Sequence, residues 1–321
     1  MKKILLCLTL TALLAVLTAC GGTTISYPAV DAPSELPWRS TARSKNDEYA
    51  VYDVTKYYGG DNQKPLTTSD SKLSFHINLS ANENSDLLCT LTYNLKMVYN
   101  DDELNGENKG KTDIIKAKAV FRADDLTAVY TEKQAILETD PSLNYSFVAD
   151  YALGKATMGD KEISIPKGIY YDNEYMYYYV RAFRSIGSGT NETLHVVNWY
   201  ECFLAGELRT YDLTSASVAK SAEMPDNIKS MYDNDGIDED GKIKCTVVQL
   251  NLTAKKGSGT GSPIVLAYAE SPATSTNNSL SIKSTFLKAL LRIETVEYTM
   301  NGNVKAATEY TLTDISIDEI A

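Results

Sequence analysis

The chain has 321 residues, with 31 basic and 42 acidic side chains, a formal net charge of −11, 43% hydrophobic residues and 2 histidines. That length supports a sizeable core and permits two domains, while 23% charged residues is an ordinary globular value that excludes wholesale disorder and a polytopic membrane protein. The acidic excess argues against a nucleic-acid partner, since phosphate binding needs Lys and Arg to release counterions, and His76 and His195 are too few for chemistry that uses several imidazoles.

Met1-Lys2-Lys3 is a short basic segment, and Ile4 to Val16 is an apolar run broken only by small residues and threonines. The run is too short for a membrane span and reads as a secretory signal. It ends at Leu17-Thr18-Ala19-Cys20, followed by Gly21-Gly22. These residues resemble the lipobox of bacterial lipoprotein precursors. The resemblance implies cleavage before Cys20, a diacylglyceryl group on its sulfur, and a protein lipid-anchored to the membrane on the extracytoplasmic face of the cell envelope. Each buried acyl CH2 contributes roughly 0.8 kcal/mol and two chains suffice for stable anchoring. Loss of Lys2 and Lys3 leaves 29 basic against 42 acidic residues, a mature charge of −13. Anionic headgroups repel such a domain, so the lipid must do the anchoring.

Residues 21–47 hold Pro28, Pro33 and Pro37 among small and polar residues without periodicity, the pattern of a tether. The chain thus divides into a signal (1–19), a lipidated cysteine with its tether (20–47) and a single β domain (48–321). Three cysteines remain in the mature chain, Cys89, Cys202 and Cys245. They allow at most one disulfide and match no zinc pattern, and Cys89 and Cys245 fall on apolar strand faces where they read as small buried hydrophobes.

Period two dominates from there on. Leu73, Phe75, Ile77 and Leu79 alternate with polar residues, and so does every odd position from Leu87 to Tyr99. A 13-residue strand of that kind would span about 43 Å, and strands so long coil into a curved sheet or half-open barrel. His76 falls in the polar phase of its strand, where a solvated histidine is the default. Gly106-Glu107-Asn108-Lys109-Gly110-Lys111-Thr112 has three residues between its glycines where a phosphate loop needs four, and strands flank it, so it reads as a hairpin loop. Ile115 to Phe121 and Tyr145 to Tyr151 continue the alternation, with a weak hairpin signal at Leu153-Gly154.

Asp172-Asn173-Glu174 has the chemistry of a helix start, and Tyr175, Met176, Tyr179, Val180, Phe183 and Ile186 follow at helical spacing before Gly187. The spacing predicts one principal helix over about 173–185, packed into the concave side of the sheet. Six of the 22 tyrosines fall within Tyr170 to Tyr179; Tyr175, Tyr179 and Phe183 are candidate ligand-facing aromatics, and the competing account makes Tyr175 and Tyr179 plain core. The succession of Lys116 to Phe121, Tyr145 to Tyr151 with Gly154-Lys155-Ala156, and Tyr171-Asp172-Asn173-Glu174 resembles a family of uncharacterised secreted bacterial β proteins, and is similar in outline to the periplasmic lipoprotein carriers. That likeness implies an envelope protein with a lipid-sized hollow, and no particular activity.

Leu194 to Leu204 reads as a mixed strand carrying His195 and Trp199, with Ala205-Gly206 a hairpin signal after it. Asp233, Asp235, Asp238 and Asp240 crowd around Gly236 and Gly241, a density of hard ligands that calcium would accept. The EF-hand template fails, however, because it would place Met231 or Gly236 at the first ligand position, so an ordinary acidic loop is the main expectation and no cofactor is otherwise called for. A face change between Val247 and Val248 predicts a bulge. Gly257, Gly259 and Gly261 read as a linker without a following helix, and Asn301-Gly302 is the strongest hairpin signal.

No G-x-S-x-G or HExxH motif occurs. The leading expectation is non-enzymatic binding of a hydrophobic or envelope-derived ligand; the alternatives are an adhesion or scaffolding lipoprotein without a cavity and, third, a carboxylate-based hydrolase. A continuous apolar hollow of roughly 300 Å3 or more between sheet and helix would favour the first, and a closed, side-chain-filled core would count against it.

Overall fold

A computed structural model describes residues 46–59, 64–82, 87–123, 125–179, 194–254, 264–270, 289–298 and 304–319. The lipobox, Cys20 and most of the tether lie outside these residues. Eight strands lead away from the N-terminus: β1 (Asn46–Tyr58), β2 (Lys72–Ala81), β3 (Leu87–Val98), β4 (Thr112–Arg122), β5 (Ala128–Leu137), β6 (Tyr145–Asp150), β7 (Lys155–Met158) and β8 (Lys161–Ser164). Seven more return: β9 (Tyr171–Asp172), β10 (Leu194–Val197), β11 (Thr210–Ala222), β12 (Ile243–Ala254), β13 (Ile264–Ala269), β14 (Leu290–Tyr298) and β15 (Val304–Glu319).

All fifteen form one sheet in the order β8-β7-β6-β5-β4-β3-β2-β1-β15-β14-β13-β12-β11-β10-β9. Two meanders therefore meet where β1 pairs antiparallel with β15. Every pairing is antiparallel except β9 with β10, which is parallel. The expected long-stranded curved sheet is the architecture, and it is not closed into a barrel by strand pairing.

Its curvature follows from chain length. β8 and β9 are the two outer edges, which a flat sheet of fifteen strands at about 4.8 Å spacing would hold nearly 70 Å apart. The link between them runs only from Ile165 to Tyr170, and six extended residues reach about 20 Å. The sheet must therefore curl until its ends meet. Register shifts that bend it occur between Val51 and Tyr52, Val120 and Phe121, Ala267 and Tyr268, and Glu297 and Tyr298. No shift falls at Val247/Val248, contrary to expectation: β12 stays in register with both neighbours there. The face change instead reflects cover on both sides of this part of the sheet, since Leu266, Ala267, Tyr268 and Ala269 of β13 are all buried.

The inward phases of β1 to β4 (Tyr52, Phe75, Leu91 and Phe121 among them) pack with Leu213, Cys245, Ile293 and Leu312 from the returning half in one large core. A second cluster seals the curl, with Phe147, Ala156, Ile163 and Ile165 from the outgoing end meeting Val197, Trp199, Cys202 and Phe203 from the other. Cys89, Cys202 and Cys245 are buried, and none of them forms a disulfide.

Two local expectations change. Helix α1 spans Met176–Tyr179 behind a 3-10 turn at Asn173–Tyr175, begun as expected by Asp172, whose side chain accepts the Glu174 N–H. The remainder of the expected helix, residues 180–185, lies outside the described residues. Leu194 to Leu204 is not one strand: β10 ends at Val197 and helix α2 (Trp199–Ala205) follows. Asn198 caps it by accepting the Glu201 N–H, and Gly206 ends it at φ 72°. Ala205-Gly206 is thus a helix C-terminus and not a hairpin turn. A third short helix, α3 (Asp226–Lys229), packs against β15.

Leu153-Gly154 does form the turn between β6 and β7. Gly154 sits at φ +69°, and a Cβ there would lie 3.0 Å from the Ile165 carbonyl oxygen at the start of the edge-to-edge link. Gly154→Ala is expected to lower stability by about 1–2 kcal/mol, measured by urea unfolding; an unchanged midpoint would show that the turn can relax.

Candidate functional site

Two carboxylates stand on the segment that turns in behind the curl. Asp172 is fully buried; its Oδ2 accepts the Tyr151 hydroxyl at 2.6 Å and the Trp199 indole N–H at 3.0 Å, while Oδ1 accepts the Glu174 N–H at 2.9 Å. One side chain so joins Tyr151, the residue that follows β6, to α2 and to the 3-10 turn that leads into α1. Burial, then the neighbouring Glu174 charge, raises its pKa from 3.8 to about 6 despite these bonds.

Glu174 points the other way. The Lys133 ammonium on β5 lies 2.9 Å from both of its oxygens, and the Tyr93 hydroxyl on β3 donates at 2.6 Å. Burial would push the Lys133 ammonium down, but the Glu174 carboxylate beside it outweighs that and holds it above its ordinary value. Burial and the same carboxylate push the Tyr93 hydroxyl up. Asp113 completes a pattern, being buried on β4 and bonded to Tyr99 and to the Thr139 N–H. Each of these three buried carboxylates is held by a tyrosine hydroxyl, a residue that brings apolar bulk and one donor together.

Beside Lys133 lies an interior hollow of about 170 Å3, lined by Phe75, Leu95, Ile115 and Ile293 with Tyr93, Tyr177 and Tyr310. That is below the roughly 300 Å3 at which small-molecule sites begin. Buried side chains pack the rest of the described core. Tyr175 belongs to that filling and does not face a ligand space: its ring stacks on Phe121 at 4.3 Å, and its hydroxyl donates to the Leu126 carbonyl at 2.8 Å. Phe183 and the side chain of Tyr179 lie outside the described residues.

The larger concavity is on the outside. A groove of about 600 Å3 crosses the outer face of β1 to β6, within the size range of small-molecule sites. Strand register builds it from two adjacent cross-strand rows. One runs Tyr49, His76, Thr92, Lys118, Glu132, Val148, each opposite the next. The other runs Ser74, Asn94, Lys116, Gln134, Ser146. These are the polar phases of the strands whose apolar phases form the core. At one end the rings of Tyr49 and His76 meet edge to face with centroids 6.4 Å apart.

The acidic loop is engaged in its own turns. Asp233 accepts the Gly236 N–H, Asp238 accepts the N–H groups of Asp240 and Lys242, and Asp240 lies 3.4 Å from the Lys242 ammonium. The Asp235 carbonyl accepts from Lys244. Among the described residues no three His, Cys, Asp or Glu side chains converge as a metal site would need. His195 lies on β10 opposite Asp212. Sequence reading missed Lys133 and Tyr93. The available signal was a lysine in the inward phase of a strand, between buried Thr131 and Ala135, which demands a buried partner.

No protein-family model matches this chain, and no curated protein matches it. A solved structure described as a beta-barrel-like protein of domain of unknown function DUF1849 from Brucella abortus superposes with a TM-score of 0.43 at 9% identity, covering 85% of this chain and 98% of that one. The likeness is coarse; strand pairing within this chain defines it as a mainly β protein built on one open, curled sheet.

Two predictions follow from the buried carboxylates. Glu174→Leu strands the Lys133 charge and should cost about 3–5 kcal/mol, much of it recovered in the double variant with Lys133→Met; urea unfolding of the three proteins tests this. For Asp172, the native pKa exceeds the unfolded one, so its stabilising share is complete below pH 3.8 and lost as pH rises through about 6. The stability difference between the parent and Asp172→Asn should therefore shift by about 3 kcal/mol across that window, to the parent's disadvantage at the upper end. A difference independent of pH would overturn the assignment.

Proposed function

We propose that this is a non-enzymatic binding protein, held by lipid on Cys20 at the extracytoplasmic face of the cell envelope, which takes an envelope-derived ligand in the outer groove of β1 to β6. The observation that carries the reading is the contrast of size: about 600 Å3 outside against about 170 Å3 inside. The interior hollow beside Lys133 is much smaller than the outer groove, so the groove is the better seat. A hydrolase is disfavoured because the buried carboxylates Asp172 and Glu174 are committed to structural donors. The anchor is supported by Leu17-Thr18-Ala19-Cys20 after an apolar signal. Among the described residues no helix is long and apolar enough to cross a membrane.

Native mass spectrometry of protein extracted from its own membrane tests both parts. A diacylglyceryl mass on Cys20 is expected, lost in Cys20→Ser, together with a noncovalent adduct lost in Asn94→Trp, which fills the groove. A chain that retains residues 1–19 defeats the anchor. An adduct that survives Asn94→Trp puts the ligand elsewhere.

A further inference from the structure

We propose that the groove's ligand is an acidic glycan, with carboxylates of the sugar chain taken by Lys116 and Lys118 and a sugar ring laid against Tyr49 beside His76. This rests on the reading of the groove as the binding site and names the ligand class.

The lysines carry the first part. They occupy alternate positions of β4, so both project from the outer face, with Cα atoms about 6.6 Å apart. Both are exposed, and among the described residues neither makes an ion pair, although the chain carries 42 acids. The cross-strand neighbours of Lys116 are amides, Asn94 on β3 and Gln134 on β5. The one acid opposite Lys118 is Glu132, whose carboxylate accepts the Tyr130 hydroxyl at 2.7 Å, and the Lys118 ammonium lies 6.0 Å over the Tyr130 ring. Among the described residues, two cations thus stand close together with no acid in ion-pair contact, on a protein of net charge −11, which suits anionic groups delivered by a ligand.

The neighbours select a sugar. Asn94 and Gln134 are exposed and each can donate and accept, as matching a hydroxyl requires. Tyr49, 43% exposed and braced edge-on by His76, offers an amphipathic ring at the rim. The longer row crosses five strand spacings, about 24 Å, long enough for several linked rings. An apolar chain would leave these polar groups without partners, and a peptide adding as a strand needs a sheet edge, whereas this is a sheet face. The whole protein repels anions at long range, so binding depends on the local contacts to Lys116 and Lys118, and salt weakens it by screening those contacts.

The test titrates the full-length mature protein in neutral detergent with a galacturonic acid hexamer and with its neutral methyl ester, by calorimetry at low and high salt. The acid should bind and the ester should bind at least tenfold more weakly. Lys116→Gln with Lys118→Gln should weaken the acid by about tenfold and flatten its salt dependence, Tyr49→Ala should weaken both sugars, and Lys305→Gln, away from the groove, should change neither. Circular dichroism confirms that each variant folds. If acid and ester bind equally and the lysine variant matches the parent, or if neither sugar binds while the native adduct is still lost in Asn94→Trp, the acidic-glycan proposal falls and the groove stands. If the acid binds undiminished to Asn94→Trp, both fall.

Discussion

The fold depends on one short connection. Six residues, Ile165 to Tyr170, carry the chain from one outer edge of a fifteen-stranded sheet to the other, and no sheet satisfies that without rolling up. Once it rolls, the edges face each other without a shared ladder, and what seals them is side-chain chemistry. Phe147 and Ile163 meet Trp199 and Phe203 in an apolar seam, and Asp172 ties Tyr151 to Trp199 across it.

Charge inside such a seam is a liability unless its partners are fixed. Here tyrosines are those partners. Their rings fill the concave space while their hydroxyls reach Glu174, Asp172 and Asp113, and others satisfy backbone carbonyls, as Tyr52 does at Leu290 and Tyr268 at Tyr177. The tyrosine-rich stretch around α1 is therefore chiefly packing with polar handles. That filling is what leaves the outer face as the roomier surface.

Much of the architecture was legible because alternation is a local signal. Leu73 to Leu79 and Leu87 to Tyr99 announce their faces whatever they pair with, and Asp172-Asn173-Glu174 announces a turn into a helix because capping is decided within a few residues. Leu194 to Leu204 failed for the same reason in reverse: Val196, Val197, Trp199, Cys202 and Phe203 suit a buried strand or a short buried helix equally, and the cap at Asn198 with the left-handed Gly206 decides. The Lys133–Glu174 pair was hidden because its members are 41 residues apart and meet only through the curl. The groove was hidden differently. Its residues were visible as the polar phase of each strand, but only register brings Tyr49, Lys116 and Gln134 onto one surface.

The marriage of β1 with β15 governs how the molecule can be made. Besides its neighbour β2, strand β1 has a partner about 250 residues away, so the seam between the two meanders cannot form until β15 arrives. The other thirteen pairings join strands consecutive in the chain, so each meander can form locally and only the seam carries the loop-closure cost of a distant contact. A chain made from its N-terminus can therefore build the outgoing meander early and joins it to the returning one only once β15 is complete. The same wiring that makes the sheet continuous thus acts as a timer on its own assembly.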